Sequence, residues 1–350
     1  MARRHGDTHR LIRWLWTSRR LDARLARVGL LPAAVVWRAG MGLREFSFRQ
    51  GWRAAHTLPL PSVAVGNLTV GGSGKTPIAT WIARHFATRG RRPGILLRGY
   101  GADEVLVHRH DVPEAVVVAN PDRLAGAATA AADGADVLVL DDAFQRLDVR
   151  RDLNVLVVSA ETTLAVRWPL PAGPWREGWG AIERADFVIV TRKRATPEAA
   201  AGLAAEISRT TAVPIAIVHL GLHHLEGMLS GASRPVESLR GERVVAATAI
   251  ADPDAFVAQV KGTGAQVQVA TWKDHYDFRD EDVAWLARAA RKADHVVLTA
   301  KDAVKLRERW PASAPEPLVA ILNVRFESGG EAFAAALDAL VPPVKRPQST

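Results

Sequence analysis

Residues 63–76 read Val-Ala-Val-Gly-Asn-Leu-Thr-Val-Gly-Gly-Ser-Gly-Lys-Thr. An apolar run enters a glycine-rich turn, the turn closes on Gly74-Lys75-Thr76, and a helix-compatible run, 78–87, follows. Strand, turn and helix in that order form a cradle for phosphate. Thr69, Val70, Gly71, Gly72, Ser73 and Gly74 would turn main-chain N–H groups inward, with glycines where a side chain would block the approach. The next helix aims its positive end at the same anion. Lys75 would lie along the terminal phosphates of a nucleotide, and Thr76 would offer its hydroxyl to Mg²⁺. The strict form of the pattern has glycine where this chain has Thr69.

Downstream, Asp136-Val137-Leu138-Val139-Leu140-Asp141-Asp142 reads as a buried strand ending in two carboxylates. Many strands end in Asp. After a phosphate loop, however, this one supplies the acidic side of a nucleotide–metal site, so Asp141 and Asp142 join Thr76 as expected metal ligands. A guanine-reading Asn-Lys-x-Asp motif is absent, since Lys301-Asp302 has the wrong spacing.

These residues need a scaffold, and the hydrophobic pattern provides one. Apolar strand candidates at 63–65, 94–97, 115–119, 136–140, 154–158, 186–190, 214–218, 243–248, 266–270, 295–299 and 317–322 alternate with helical runs at 77–89, 122–133, 196–208, 252–261, 280–291 and 330–340. Such alternation predicts an α/β fold of the P-loop NTPase type, a mostly parallel sheet flanked by helices. Residues 57–220 form the expected P-loop domain, and 221–341 a smaller α/β domain. The boundary falls where Gly221, Gly227, Gly231 and Pro235 break the pattern. The tail, 342–350, reads as disordered.

The chain has 350 residues and no cysteine, which excludes disulfides and thiolate metal sites. Its net charge of +9 is confined to one end: residues 1–56 hold twelve arginines, no lysine and three acids, and the rest is neutral. Residues 10–53 also hold Trp14, Trp16, Trp37 and Trp52. An amphipathic helical segment of this kind suits the interface of an anionic membrane. A solvated basic helix and a nucleic-acid arm compete with that reading, but no nucleic-acid-binding motif supports the arm. The longest uncharged stretch there, Val28 to Trp37, is too short to span a bilayer.

Further blocks follow the phosphate loop Val65–Pro77 in order. They are Arg98-Gly99-Tyr100-Gly101, Asp141-Asp142-Ala143-Phe144-Gln145, Leu170-Pro171-Ala172-Gly173-Pro174-Trp175-Arg176-Glu177, Asp252-Pro253-Asp254-Ala255-Phe256, Asp274-His275-Tyr276 and Thr299-Ala300-Lys301-Asp302-Ala303-Val304-Lys305. The ordered set resembles the tetraacyldisaccharide 4′-kinase (lipid A 4′-kinase) family, including its form of the loop with Thr69. The resemblance implies transfer of the ATP γ-phosphate, with Mg²⁺, to the 4′-hydroxyl of a tetraacylated glucosamine disaccharide 1-phosphate. It implies a peripheral enzyme on the cytoplasmic face of the bacterial inner membrane. It also implies that Asp103, in Ala102-Asp103-Glu104-Val105, is the family's catalytic Asp and its base, paired with His275. Such a pair can take the proton of a sugar hydroxyl as it attacks. Arg98, Arg123 and Arg176 become candidates for substrate phosphate, which guanidinium forks suit; Gln145 either positions substrate or caps a turn. The chain departs from the family pattern at Ala143, Arg146 and Val105, and in the near absence of the usual insertion between Gly101 and Asp103. Two other readings stay open: a kinase for a different sugar-lipid, and a membrane-tethered ATPase switch.

Overall fold

The computed structural model describes residues 7–99, 101–161 and 167–342. Three helices come first: α1 (Asp7–Thr17), α2 (Leu21–Gly29) and α3 (Leu31–Arg49). Then follow β1 (His56–Thr57), β2 (Ser62–Gly66), α4 (Lys75–Thr88), β3 (Pro93–Leu97), α5 (Ala102–Asp111), β4 (Val116–Ala119), α6 (Arg123–Ala132), β5 (Val137–Leu140), β6 (Val149–Arg150) and β7 (Leu153–Ser159). After these come β8 (Phe187–Arg192), α7 (Pro197–Ser208), β9 (Ile215–Gly227), β10 (Ser233–Pro235), β11 (Arg243–Thr248), α8 (Pro253–Gly262) and β12 (Gln266–Thr271). The chain ends with α9 (Asp280–Ala290), β13 (His295–Thr299), α10 (Ala300–Leu306), β14 (Leu318–Ser328) and α11 (Gly330–Leu340).

The described residues divide into two compact units. The larger takes 11–99, 108–218 and 326–342; the smaller takes 7–10, 101–107 and 219–325. The division is not a single cut near 220. Residues 326–342 return to the larger unit, where Phe333 meets Phe187 at 4.7 Å and Trp81 at 5.6 Å between ring centroids.

In the larger unit, strands run β8-β7-β2-β5-β3-β4, every adjacent pair parallel. β2, β3 and β5 are buried along their whole length, as parallel strands with both faces covered must be. Phe144, Leu156, Val188 and Val190 pack on Ala200, Leu203 and Ile207 of α7. Leu96, Leu138 and Leu140 pack on Ala127 and Ala130 of α6. In the smaller unit β12-β11-β13-β14 are again parallel. Period-two alternation sorts β11: Val245 and Ala247 join Val283, Leu286 and Ala290 of α9, whereas Val244 and Ala246 join Phe256 and Val260 of α8.

Helix starts follow local chemistry. Asp122 accepts from the N–H groups of Leu124 and Ala125 to open α6. Thr196 and Asp252 cap α7 and α8, each followed by proline in the first turn. Two helices, α5 and α10, are absent from the pattern read in the sequence. β9 runs well past the expected 214–218, because its alternating half-buried pattern continues through Gly221. The tail beyond 342, expected to be disordered, and Tyr100 lie outside the described residues.

Candidate active site

β2 delivers the chain to the loop at Gly66, where a Cβ would lie 2.5 Å from Cβ and 2.6 Å from N of Phe144. Gly71 and Gly74 have φ of 125° and 90°. Nothing lies within 4 Å of a Cβ built on Gly71, so its conformation, not its space, requires glycine. Gly74 precedes α4, and Lys75 and Thr76 therefore open that helix at its positive end. The loop is pinned from several sides. Asn67 Nδ2 donates to Ser73 Oγ at 2.9 Å, Thr191 Oγ1 to the Ser73 carbonyl at 2.7 Å, and Lys193 Nζ to the Gly72 carbonyl at 2.7 Å. Val70 N–H donates to the Pro174 carbonyl and Arg176 N–H to that of Leu68, at 2.7 and 2.8 Å.

β5 lies directly beside β2, with Leu140 level with Ala64, so Asp141 and Asp142 emerge at the end of the strand next to the loop. The two acids have different surroundings. Asp142 sits 3.1 Å from Lys75 Nζ and 3.1 Å from Arg176 Nη1. Burial pushes its pKa up, but Lys75 and Arg176 more than offset this and hold it below the ordinary carboxylate value. Asp141 is fully interior; its Oδ2 faces His108 Nε2 at 3.4 Å, and its Oδ1 has no hydrogen-bond partner. Burial raises the Asp141 carboxyl, and the hydrogen bond and charge of His108 outweigh it, leaving the pKa lowered.

Among the described residues no three His, Asp or Glu side chains converge as a metal site. Mg²⁺ ordinarily takes one or two protein carboxylates and completes its shell with phosphate and water. The orphaned Asp141 Oδ1 fits that role, whereas both cations on Asp142 already satisfy its charge.

The smaller unit holds a second cluster. Asp103, in the first turn of α5, is buried. Both its oxygens lie 3.1 Å from His275 Nδ1, and Oδ2 lies 3.0 Å from Lys305 Nζ. Burial raises the Asp103 pKa, but His275 and then Lys305 win, so it lies well below the usual range. His275 is raised in turn, chiefly by its hydrogen bond to Asp103. Gly101 makes the pair geometrically feasible: a Cβ there would come 2.3 Å from Asp103 Oδ1 and 3.0 Å from His275 Nδ1. Glu104 pairs with Lys301 at 2.6 Å. Among the described residues only two non-glycines have positive φ, Asp142 at 52° and His275 at 54°. Backbone strain of this kind collects at functional sites.

The remaining sequence candidates separate. Arg98 is exposed after β3. Arg123 is interior; its guanidinium donates to the Asn120 and Asp141 carbonyls, and burial, then Arg146, draws its pKa down to about 10. Gln145 Nε2 donates to the Asn67 carbonyl at 2.7 Å, so it supports the loop. Arg176 is spent on Asp142. The N-terminal helices reach the same segment: Trp37 Nε1 donates to the Arg176 carbonyl, Trp16 Nε1 to that of Pro171, and Arg44 Nη1 to that of Gln145. Asn67, His108, Lys193 and Lys305 belong to these clusters without having been singled out. Asn67 and Lys305 lie inside quoted motif blocks, which could have marked them; His108 and Lys193 have no such signal.

A lysine-bearing glycine loop between a central parallel strand and its helix, with acids on the adjacent strand, defines a P-loop nucleotide-binding α/β protein. Comparison with known proteins narrows the class. Residues 26–342 match the family model described as tetraacyldisaccharide-1-P 4′-kinase. A tetraacyldisaccharide 4′-kinase of Anaeromyxobacter sp. (strain K) is 35% identical over 354 residues, covering 93% of each chain. One of Aromatoleum aromaticum is 34% identical, covering 83% of this chain and 87% of the other. The crystal structure of LpxK from Aquifex aeolicus in complex with ATP superposes with a TM-score of 0.70 at 24% identity, covering 90% of this chain and 99% of that one, which establishes the fold. The chain belongs to the tetraacyldisaccharide-1-P 4′-kinase family.

Proposed function

We propose that this protein transfers the γ-phosphate of ATP to the 4′-hydroxyl of a tetraacylated glucosamine disaccharide 1-phosphate in lipid A assembly. The observation that carries the reading is family membership across nearly the whole chain with Gly74-Lys75-Thr76 intact at the start of α4. In this reading the loop N–H groups and Lys75 bind the ATP phosphates, and Asp142, itself paired with Arg176, and the Asn67 amide oxygen hold Lys75 in place before the nucleotide arrives. Thr76 and Asp141 would hold Mg²⁺, with Asp142 beside them; the bound ion would neutralise charge building on the transferred phosphoryl group.

The Asp103–His275 pair is assigned the acceptor proton. Asp103 is almost wholly enclosed and bonded to both His275 and Lys305, whereas the His275 side chain is 39% exposed. His275 Nε2 is therefore the atom that accepts the hydroxyl proton, and Asp103 orients the ring through Nδ1 and stabilises the imidazolium. Arg98, exposed just after β3, is assigned to the substrate 1-phosphate, which a guanidinium fork suits.

The same proposal places the protein peripherally on the cytoplasmic face of the inner membrane, held by residues 10–53. Twelve large apolar side chains between Leu11 and Trp52 are exposed, among them Leu21, Val35, Val36 and Trp52. No described helix is long and apolar enough to cross a membrane. A radiolabelled γ-phosphate transfer assay on the tetraacyl disaccharide 1-phosphate, run against simpler sugar-lipids, tests the function. Lys75→Ala should remove transfer to the detection limit; turnover retained in that variant would overturn the loop assignment, and equal use of all acceptors would overturn the substrate.

A further inference from the structure

The second oxygen of Asp141 is held by a device that the phosphate-transfer chemistry does not require and that no motif announces. His108 lies on α5, five residues after Asp103, and is completely buried. One ring nitrogen, Nδ1, is 3.1 Å from Thr80 Oγ1 on α4; the other, Nε2, is 3.4 Å from Asp141 Oδ2. Asp141, Thr80 and His108 are each at most 5% exposed, so water does not compete for these contacts. The direction of the contact to Asp141 is fixed, and a hydroxyl satisfies the other ring nitrogen in either direction. A carboxylate only accepts, so Nε2 carries the hydrogen and donates to Oδ2; Nδ1 accepts from the Thr80 hydroxyl when the ring is neutral and donates to its oxygen when the ring is charged. Thr80 lies in the second turn of the helix that Lys75 opens. The ring thus ties the acid at the end of β5 to the helix that begins at the phosphate loop.

The consequence falls on the other oxygen. With Oδ2 occupied by His108 and the main-chain carbonyl of Asp141 taken by Arg123 Nη2 at 3.1 Å, Oδ1 is the one carboxylate oxygen there without a partner. A carboxylate free to turn presents either oxygen, or neither, to a cation; one fixed through Oδ2 presents Oδ1 alone. We propose that His108 is a positioning residue that locks the Asp141 carboxylate so that Oδ1 faces the divalent cation accompanying ATP. Outer partners of a metal-bound carboxylate commonly contribute about 10–100-fold in metal affinity. The inference rests on the reading of Asp141 as a metal ligand, and its test separates the two.

The experiment measures, by calorimetry on the full-length protein, the Kd of a non-hydrolysable ATP analogue with and without Mn²⁺. The ratio of the two constants reports what the metal adds. His108→Leu, which fills the space but cannot donate, should lower the ratio by about 10–100-fold and leave the metal-free Kd unchanged. His108→Gln, whose amide can replace Nε2–H, should restore most of it. Thr80→Val, which keeps the volume and removes the hydroxyl, should give an intermediate loss. Asp141→Asn is the control. If it leaves the ratio intact, the metal reading of Asp141 fails. If it removes the metal contribution while His108→Leu and Thr80→Val behave as wild type, the His108 inference alone is overturned. Should His108→Leu fail to fold, a wild-type ratio in Thr80→Val overturns it unaided.

Discussion

His275 carries a pH dependence that belongs to a single residue. Its pKa lies above that of an ordinary histidine because Nδ1 donates to the Asp103 carboxylate, an effect larger than the opposing one of partial burial. A base must be neutral, so the rate should rise with pH through that elevated value and level off above it. Asp103→Asn removes the charge that raises it, so the acid limb should shift to lower pH, and the plateau rate should fall about 10²–10⁴-fold with the loss of the oriented base. A pH–rate profile of the two proteins checks this; an acid limb unmoved in Asp103→Asn would mean that another group titrates. At this scale the sequence is uneven in what it reveals. Lys75 and Thr76 were legible because their chemistry is written in one contiguous stretch. His275 and Asp103 are 172 positions apart, and their pairing came from the resemblance of the Asp-His-Tyr block, not from any local pattern. His108 and Asp141 are 33 apart, and nothing near His108 marks it. The acids at 141 and 142 looked equivalent; only the fold shows that one faces His108 and the other faces two cations.

Among elements, α3 does two jobs. Its outer face leaves Val35 and Val36 more than 60% exposed, while Trp37, Arg44 and Glu45 hold the Arg176 carbonyl, the Gln145 carbonyl and the Arg184 guanidinium. Removing residues 1–50 would therefore disturb the site as well as any membrane contact. Val35→Asp with Val36→Asp is the cleaner change. Each buried aliphatic side chain contributes about 1.5–3 kcal/mol to transfer out of water, so the pair should weaken binding to anionic vesicles by tenfold or more. Turnover of detergent-dispersed substrate should stay within about twofold, because neither side chain holds the site segments. Co-sedimentation and a parallel assay decide it; vesicle binding equal to wild type would remove these helices as the contact. The element pattern itself was readable where period and capping agree, as in α6 to α9. It failed at α5, whose apolar residues follow no clear face, and at β9, where glycine suggested a break and the strand continued.

For the whole molecule, the direction of the carboxylate shifts sets acid stability. Asp103, Asp141, Asp142 and Glu161 all lie below their ordinary values, Glu161 at about 2, where three successive N–H groups from Lys193 to Ala195 and the Ser159 hydroxyl offset its burial. Each is more acidic folded than unfolded. Each therefore stabilises the fold above the unfolded pKa and loses that contribution as pH falls through the native one. Asp302 acts oppositely: burial raises its pKa, so its contribution grows as the solution becomes acid. Glu198, Glu206, Asp294, Glu316 and Asp338 are lowered as well, so the balance predicts that the thermal midpoint, followed by circular dichroism, drops progressively from about pH 5 to about pH 2. An unchanged midpoint over that range would contradict the balance.

The grip of α1 and α3 on residues 145, 171, 176 and 184 also bears on descent. A tether joined only through a flexible linker can be lost, swapped or lengthened without consequence for the body it carries. Here the N-terminal helices share hydrogen bonds and an ion pair with the segment that sets Arg176 against Asp142. Substitutions at Glu45 and Arg184 should accordingly be inherited as a pair, and the helices and the 170–184 segment should drift together, not as separable modules.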